Sequence, residues 1–248
     1  MMRDLDGKRA WVTGGGTGIG AGAALALADA GADVVVSGRR LEPLEKVVSL
    51  IEAEGGLARA EVLDVADTEA VAEVAKRIGR VDILLANAGL NVPKRALFDV
   101  TDEDWRTVVD VNLNGVFHPV RAVLPGMKAE GGGQVILISS WAGRYPGRLT
   151  GAAYNATKRA VIALGESINE EGGAHGIRCT VIMPGEVATE IMDKRPVPPS
   201  REERDRMLQV DDLAAAVRFV AEMPPHACVN EILISPTHNR FYQGFEEI

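Results

Sequence analysis

Short apolar runs, mostly β-branched, alternate along the chain with longer segments whose apolar residues recur at helical spacing. The predicted strands are RAWVT (9–13), DVVVS (33–37), ARAEVL (58–63), VDILLA (81–86), QVILIS (134–139), RCTVIM (178–183) and NEILIS (230–235). The predicted helices cover 18–30, 41–54, 67–78, 101–128, 151–171 and 211–222. Such alternation indicates βαβ units, so we expect an α/β fold with a doubly wound, seven-stranded parallel sheet covered by helices on both faces.

The rhythm of strands and helices continues along the chain without a break, so residues 1–248 are predicted to form a single domain. One segment departs from the rhythm: residues 193–207 carry three prolines followed by dense charge. A long irregular segment inside a compact domain is usually a lid, a binding loop or partly disordered, and we expect 185–209 to form a loop or lid over the substrate.

Composition narrows the functional classes. Of the 248 residues, 46% are hydrophobic and 25% charged, and the formal net charge is −8. An acidic chain argues against nonspecific nucleic-acid binding, which needs a basic face. No membrane-length apolar stretch or signal peptide is evident, so we expect a cytoplasmic protein. The two cysteines lack CxxC spacing and the four histidines are scattered, so no metal site is expected.

A glycine-rich turn, TGGGTGIG at 13–20, joins the first predicted strand directly to the first predicted helix. This placement brings the N–H groups of the first helical turn to the end of the strand, where they can bind a pyrophosphate. Gly14 permits the tight turn, and Gly18 and Gly20 permit close approach of backbone and ligand. The alternative interpretation is an ordinary flexible loop between strand and helix.

Tyr154 and Lys158 lie four residues apart in a segment of small residues, AAYNATKRAV. On a helix this spacing places both side chains on one face. A nearby lysine cation favours the phenolate and lowers the tyrosine pKa, so the phenol could exchange a proton with an alcohol or a carbonyl. The alternative is an unremarkable polar pair on a helix surface.

Taken together, three motifs resemble the short-chain dehydrogenase/reductase family across residues 6–235: the glycine turn, the Asn87-Ala88-Gly89 loop and the Tyr154/Lys158 pair. The resemblance implies a Rossmann-like fold, a nicotinamide cofactor, a small-molecule secondary alcohol or ketone as substrate, and a homotetramer. One position departs from the family pattern. Ala86 replaces the first of two asparagines, which puts a hydrogen bond that supports the loop in doubt.

The resemblance also assigns roles to residues. Ser140 is expected to hold the substrate oxygen, with Ser139 structural, Tyr154 and Lys158 catalytic, and Asn112 supporting a water relay to the lysine. The expected cofactor contacts are Gly14, Thr17, Gly18, Ile19, Gly20, Arg39, Arg40, Asp64, Val65, Asn87, Ala88, Gly89, Tyr154, Lys158, Pro184, Gly185, Val187 and Thr189.

The end of the second predicted strand bears on cofactor choice. Gly38 stands where an NAD site usually has an acid for the ribose 2′-hydroxyl, and Arg39 and Arg40 follow. Arginines suit a 2′-phosphate, so NADP(H) is predicted, with NAD(H) as the alternative. The competing interpretation is two solvated arginines at the start of a helix.

Basic residues gather in loops that are expected near the substrate, although the chain is acidic. They are Lys94, Arg95, Arg144, Arg148, Lys194 and Arg195. Because an arginine fork matches a carboxylate, we expect a small anionic hydroxy acid, with Arg148 or Arg144 as its anchor and Lys94 and Arg95 as further contacts. Solvated loop charges are the alternative. The C-terminal segment MPPHACVNEILISPT also resembles family members that oxidise 3-hydroxy acids.

Two other functions were weighed against the enzyme. A non-catalytic NAD(P)-binding redox sensor or regulator on the same fold would be expected to lack the tyrosine or the lysine, and this chain has both. A sugar-nucleotide epimerase would be expected to have a longer chain and a different glycine spacing.

Overall fold

The computed structural model describes residues 5–195 and 197–243, and its strands form one seven-stranded parallel sheet. The strands are β1 (Arg9–Thr13), β2 (Asp33–Gly38), β3 (Leu57–Val62), β4 (Ile83–Ala86), β5 (Gly133–Ile138), β6 (Ile177–Pro184) and β7 (Glu231–Ile234). They lie in the order β3-β2-β1-β4-β5-β6-β7. The chain therefore builds outward from β1 in one direction and then crosses back to β4, and the predicted doubly wound, Rossmann-like single domain is confirmed.

Helices connect the strands. They are α1 (Gly18–Asp29), α2 (Leu41–Ala53), α3 (Thr68–Ile78), α4 (Asp102–Val109), α5 (Gly115–Ala129), α6 (Trp141–Arg144), α7 (Ala152–Gly172), α8 (Arg201–Asp205), α9 (Val210–Ala221) and α10 (Arg240–Gln243). The predicted helices agree with these bounds to within a few residues, except over 101–128.

Two layers of buried side chains lie on the two faces of the sheet. On one face α1, α2 and α9 pack, and Val12 of β1 belongs to that core. On the other face α3, α5 and α7 pack, and the neighbouring Trp11 belongs to the second core. Successive strand residues point to opposite faces, so a strand covered on both faces must be apolar at every position. The indole N–H of Trp11 is satisfied inside the core, where it donates to Ser37 Oγ at 2.9 Å.

The segment 101–128 was predicted as one helix, but the structure divides it into α4, a π-helical turn at Asp110–Asn114, and α5. The N–H of Gly115 donates to the carbonyl of Asp110, five residues earlier. Gly115 also packs tightly, since a Cβ there would lie 2.5 Å from Val65 Cγ2. The extra residue in the turn changes which side chains face inward, and Asn112 is fully buried.

Strand β3 is shifted by one residue from the prediction of 58–63. It pairs with β2 from Leu57 to Val62 at the edge of the sheet. An edge strand has one partner and partial burial, so its apolar pattern is weak and its ends are poorly marked in sequence. Leu63 has left the sheet and is buried at the carboxyl end of the strands.

The segment 185–209 is more ordered than its prolines predicted. It contains a 3₁₀ turn at Glu190–Lys194 and the short helix α8, which begins with a capping box between Ser200 and Glu203. Its two ends are joined, because Ala188 N donates to Leu208 O and Leu208 N donates to Glu186 O. The segment is thus a closed loop with helical turns inside it.

Candidate active site

The carboxyl ends of β1, β4, β5 and β6 meet at one edge of the sheet, where the chain reverses its direction of winding. Ligands of open α/β sheets bind in the crevice at this point. The loops that follow these four strands carry the glycine turn, the Asn87 loop, Ser140 and Pro184, and together they line a cleft.

The glycine turn brings backbone against backbone. Gly14 has φ +64°, and a Cβ there would lie 2.9 Å from Ala88 Cα. A Cβ on Gly20 would lie 2.2 Å from the carbonyl oxygen of Gly14, so the start of α1 is pressed against the turn. Thr17 precedes α1 and makes no capping hydrogen bond with its side chain. The N–H groups of the first turn therefore face the cleft without a side-chain cap, as a pyrophosphate site requires.

The Asn87 loop is held by Thr13 and Asn87. The backbone N–H groups of Asn87 and Ala88 donate to Thr13 Oγ1 at 3.1 and 3.2 Å. The Asn87 amide donates to the carbonyls of Thr13 at 3.1 Å and Gly14 at 3.2 Å. Ala86 is a buried residue at the end of β4. Although Ala86 departs from the family pattern, four hydrogen bonds still hold this loop against the glycine turn.

Ser140 and Tyr154 meet in the cleft. Ser140 directly precedes α6, and its Oγ accepts a hydrogen bond from Ala142 N at 3.2 Å. The Ser140 hydroxyl and the Tyr154 phenol line the same part of the cleft, and the interaction with Ser140 acts to lower the pKa of the phenol. Ser139 has a different task, since its Oγ donates to the carbonyl of Lys158 at 2.7 Å and so fixes α7 to the end of β5. A hydroxyl pair of this kind can hold one substrate oxygen and exchange a proton with it.

Burial raises the pKa of Tyr154, and this is the largest influence on it. The interaction with Ser140 and the positive charges of Arg195 and Arg95 act to lower this pKa but do not outweigh burial. The expected source of a lowered tyrosine pKa was Lys158. In this structure the cations that act on the phenol are the two arginines.

The position of the Lys158 side chain explains why it is not the cation that acts on the Tyr154 phenol. Its side chain is only 3% exposed, and its Nζ donates to the carbonyl of Ile138 at 2.8 Å. The Nζ lies 5.7 Å from the centroid of the Tyr154 ring. Burial lowers the pKa of Lys158 to about 8, so the side chain is protonated at neutral pH. The ammonium group is thus directed at the strand end and at the floor of the cleft.

Asn112 reaches the same floor from the π-helical turn. Its amide forms two hydrogen bonds with the backbone of Leu90, donating to O and accepting from N, both at 2.8 Å. A Cβ on Gly89 would lie 3.4 Å from Asn112 Oδ1 and 3.5 Å from Lys158 Nζ. Asn112, Gly89 and Lys158 therefore converge. Asn114 bonds to Asp110 on the exposed side of the turn.

The cleft has two halves, and all the sequence-predicted cofactor residues except Gly20, which lies beneath the turn, line one or both of them. The inner half is lined by Gly14, Thr17, Gly18, Ile19, Asn87, Ala88, Gly89, Tyr154, Lys158, Pro184, Gly185, Val187 and Thr189. The outer half is lined by Gly14, Thr17, Arg39, Arg40, Asp64, Val65, Ala88 and Gly89. Sequence reasoning missed the apolar lining of the outer half, including Pro43, Leu44, Leu63 and Val111. Their pattern marks them only as core positions.

A third pocket adjoins Ser140 and Tyr154 and contains residues from the predicted basic loops. Arg95 and Arg195 line it, together with Glu186 and Asn91. The structure does not bring Arg144 there, because its guanidinium is paired with Glu231. Arg148 and Lys94 are exposed and do not line this pocket. The side chain of Lys194 lies outside the described residues.

Glu186 is the centre of an ion-pair network beside this pocket. It follows Gly185 at the end of β6 and is 2% exposed. Its Oε1 accepts from Arg195 at 2.6 Å and from Arg240 at 2.8 Å, and its Oε2 accepts from Arg240 at 2.9 Å. Burial opposes the charge of Glu186, but the bonds to Arg240 and Arg195 outweigh it and lower the pKa of the carboxyl. Arg240 also pairs with Glu203 of α8.

Within 5–195 and 197–243, no cluster of three or more His, Cys, Asp or Glu side chains could hold a metal ion. No helix in those ranges is both long and apolar enough to cross a membrane.

Comparison with known proteins agrees with the geometry of the cleft. The model of the short chain dehydrogenase family matches residues 8–198. An uncharacterized oxidoreductase of Listeria monocytogenes is 34% identical over 91% of this chain and 95% of its own. A metagenomic short-chain oxidoreductase, solved in complex with NADP, is 32% identical with a TM-score of 0.82 over 94% of this chain and 99% of its own. An alcohol dehydrogenase from the archaeon Thermococcus sibiricus, complexed with 5-hydroxy-NADP, is 30% identical with a TM-score of 0.84 over 94% of this chain and 98% of its own.

Proposed function

Because this chain belongs to the short-chain dehydrogenase/reductase family and is an oxidoreductase, we propose that it interconverts a small secondary alcohol and the corresponding ketone with NADP(H). The observation that carries the proposal is the placement of the Ser140 hydroxyl and the Tyr154 phenol together in the inner half of the cleft, with the Lys158 ammonium at its floor. A non-catalytic cofactor sensor would not need a serine hydroxyl and a tyrosine phenol placed together in this way.

A bound nicotinamide supplies the hydride donor or acceptor. The Ser140 hydroxyl holds the substrate oxygen, and the Tyr154 phenol gives that oxygen a proton in reduction or removes one in oxidation. The Lys158 ammonium, fixed by the Ile138 carbonyl, places positive charge on the floor of the cleft beside Gly89. We assign Asn112 the support of a water relay to Lys158, through its position next to the same glycine.

The preference for NADP(H) is supported by the outer half of the cleft. Gly38, Arg39 and Arg40 line it, and both arginines are exposed at the start of α2. A 2′-phosphate can pair with a guanidinium fork, whereas a ribose hydroxyl needs an acceptor that Gly38 does not supply. The two solved relatives contain NADP or 5-hydroxy-NADP, which agrees with this assignment.

The loop 185–209 is proposed as the lid of the substrate pocket, because Glu186, Ile191, Met192 and Arg195 of this loop line it. The family resemblance further suggests a homotetramer, which light scattering on the purified protein would test. A small hydroxy acid remains the proposed substrate class.

The test of the proposed function is a screen of alcohols, polyols, hydroxy acids and ketones, read by nicotinamide absorbance with each cofactor. We expect turnover of at least one secondary alcohol or ketone and a higher kcat/KM with NADP(H) than with NAD(H). Arg39→Ala should reduce that preference by raising KM for NADP(H) alone. Cofactor binding without turnover of any compound in the panel would favour the sensor instead, and a clear preference for NAD(H) would contradict the cofactor assignment.

A further inference from the structure

The pocket beside Ser140 and Tyr154 combines apolar walls with an unusual set of charges. Leu149, Ile191, Met192 and Phe241 supply apolar surface. The charged side chains among its lining residues are Arg95, Arg195 and Glu186. Two guanidinium groups thus face one carboxylate within a small space next to the reacting hydroxyls.

The carboxylate of Glu186 already has hydrogen-bond partners. Both oxygens of Glu186 accept hydrogen bonds, one from Arg195 and both from Arg240, and the side chain is almost fully buried. Arg240 approaches from outside the pocket and does not line it. The charge of Glu186 is therefore shared between two arginines, of which Arg195 lines the pocket.

Arg95 and Arg195 lie close enough to influence each other and the reacting phenol. The pKa of Arg95 is lowered first by burial and then by the charge of Arg195, and Tyr154 acts in the opposite direction. Like charges held together in a partly desolvated pocket are unfavourable. A carboxylate bound by both arginines would gain charge-assisted hydrogen bonds, because guanidinium groups match carboxylates geometrically.

Arg95 is held in a fixed position relative to the helix that carries Tyr154. Gly151, the residue before α7, has φ +80°. A Cβ on Gly151 would lie 2.3 Å from the carbonyl oxygen of Arg95 and 2.7 Å from its Cβ. The backbone and stem of Arg95 therefore pack against the first turn of the catalytic helix, which sets the position of its guanidinium relative to the phenol.

We propose that Arg95 and Arg195 bind the carboxylate of a small hydroxy or oxo acid whose reacting oxygen lies at Ser140 and Tyr154, and that this acid carries no protonated amine. The inference deepens the proposed function and rests on it. An ammonium group would lie beside two guanidinium groups, and Glu186, the carboxylate among the described lining residues, already accepts hydrogen bonds at both oxygens. The anchor thus lies at Arg95 and Arg195 and not at Arg144 or Arg148, because Arg144 is paired with Glu231.

The test compares matched substrates on matched variants. The substrates are 2- and 3-hydroxybutyrate, the amide of each, and the amino acids threonine and allo-threonine, all of which carry secondary hydroxyls. In the parent enzyme we expect the better hydroxy acid to exceed its amide by about tenfold or more in kcat/KM, and to exceed both amino acids. Equal turnover of acid and amide would overturn the anion site, and preference for threonine or allo-threonine would overturn the exclusion of the amine.

The variants locate the anchor. Arg95→Gln and Arg195→Gln should each lower kcat/KM for the acid by about 10- to 100-fold, chiefly through KM, and leave the amide nearly unchanged. Arg95→Lys should recover part of the loss. Arg148→Gln is the matched control, an exposed arginine in the loop between Ser140 and Tyr154. Losses that are equal for acid and amide, or an equal effect of Arg148→Gln, would overturn the assignment, and thermal melting confirms that each variant is folded.

A direct binding measurement separates this inference from the proposed function. If the panel gives no turnover, calorimetric titration with malonate and propionate still reports on the site. Binding to the parent that weakens by about tenfold or more in Arg95→Gln, but not in Arg148→Gln, would support the anion site while the proposed reaction fails. No measurable binding of either anion, together with no preference for acids, would overturn the inference.

Discussion

At the scale of single residues, burial shifts the pKa values of Tyr154 and Lys158 in opposite directions. Desolvation disfavours the charged form of each, which raises the pKa of the phenol and lowers that of the ammonium. The tyrosine is thereby kept as a neutral proton donor, and the lysine is kept near the pH at which it can lose its charge. Their proposed roles can be separated by substitution, because we propose that the phenol transfers a proton and that the ammonium supplies positive charge.

Tyr154→Phe should abolish turnover and leave cofactor binding nearly intact. The substitution removes only the phenol hydroxyl, and groups of this kind typically contribute about 10²–10⁴-fold to rate. Steady-state kinetics with a substrate from the screen and a fluorescence titration with NADPH measure the two effects. Wild-type kcat in this variant would show that the proton carrier is another residue.

Lys158→Met should reduce turnover and cofactor affinity yet make the protein more stable at neutral pH. The pKa of Lys158 falls from 10.5 to about 8 in the folded state, so keeping its charge buried costs about 3 kcal/mol at neutral pH. Losing the hydrogen bond to Ile138 O offsets about 1 kcal/mol of the gain. Denaturant unfolding should therefore show a net gain of about 2 kcal/mol.

The gain in Lys158→Met should also depend on pH in a defined direction. Between about pH 8 and 10.5 the unfolded parent binds a proton that the folded parent has released, so the parent becomes more stable as pH rises through this window. The advantage of the variant should shrink over the same window. Lys128→Met, at an exposed lysine of α5, is the control and should change stability by less than about 0.5 kcal/mol. A destabilised Lys158→Met at neutral pH would contradict the electrostatic account.

At the scale of elements, helix α1 owes its position to glycine rather than to a polar cap. Gly20 touches the carbonyl of Gly14 and the amide of Asn87, so the helix, the turn and the neighbouring loop form one close-packed unit. This unit is also the expected seat of the pyrophosphate. Packing and ligand binding are therefore coupled at a single position.

Gly20→Ala should lower stability by about 1–3 kcal/mol and weaken NADPH binding, because the added Cβ would lie 2.2 Å from Gly14 O. Gly126→Ala is the matched control within helix α5, where a Cβ meets no atom within 4 Å. That substitution should add about 0.5–1 kcal/mol of stability through helix propensity alone. Unfolding curves and NADPH titrations compare the two, and a Gly20→Ala protein as stable as the Gly126→Ala protein would contradict the packing argument.

The elements that could be predicted from sequence are those whose apolar pattern is enforced on both faces. β1, β2 and β5 are continuous apolar runs because helices cover the sheet on each side. The π-helical turn at Asp110–Asn114 could not be predicted, since one extra residue per turn leaves the composition and the polar pattern unchanged. Likewise, Tyr154 and Lys158 share a helix and are linked by local spacing, whereas no local pattern links Arg95 to Arg195.

At the scale of the whole molecule, Glu186 joins the 185–209 loop to helix α10 near the end of the described chain. It stands at the end of β6, binds Arg195 of the 185–209 loop, and binds Arg240 of α10, which in turn pairs with Glu203 of α8. Only the folded topology brings these residues together. The sequence therefore predicts the basic loops but not which of their side chains meet. Arg144 looked equally suited to the pocket until the sheet placed Glu231 beside it.

Glu186→Gln should destabilise the protein by about 3–5 kcal/mol at neutral pH, because two largely buried guanidinium groups would lose their shared carboxylate. Burial of Glu186 raises its pKa, but Arg240 and Arg195 lower the pKa by a larger amount, so the net shift is downward from 4.5. The unfolded carboxyl therefore binds a proton before the folded one does. Stability from this group is present above pH 4.5 and is lost as pH falls through the lower folded value.

Acid unfolding measures this contribution. The difference in stability between the parent and Glu186→Gln should be largest at neutral pH and should shrink below pH 4.5. Glu202→Gln is the control, since Glu202 is an exposed residue of α8 paired only at the surface with Arg206. A Glu186→Gln protein that matches the Glu202→Gln protein at neutral pH would show that the network does not stabilise the fold.

The position of β1 in the sheet has a consequence for folding during synthesis of the chain on the ribosome. β1 pairs with β2 on one side, soon after both are synthesised, but its other side waits for β4. At about 5–20 residues per second, the intervening segment takes several seconds to emerge. During that interval the nascent chain exposes an apolar strand edge, and the future nucleotide crevice, which needs β4 for one wall, does not yet exist. We expect nascent chains released before Ala86 to depend on chaperones, whereas those that extend past β4 can close the centre of the sheet.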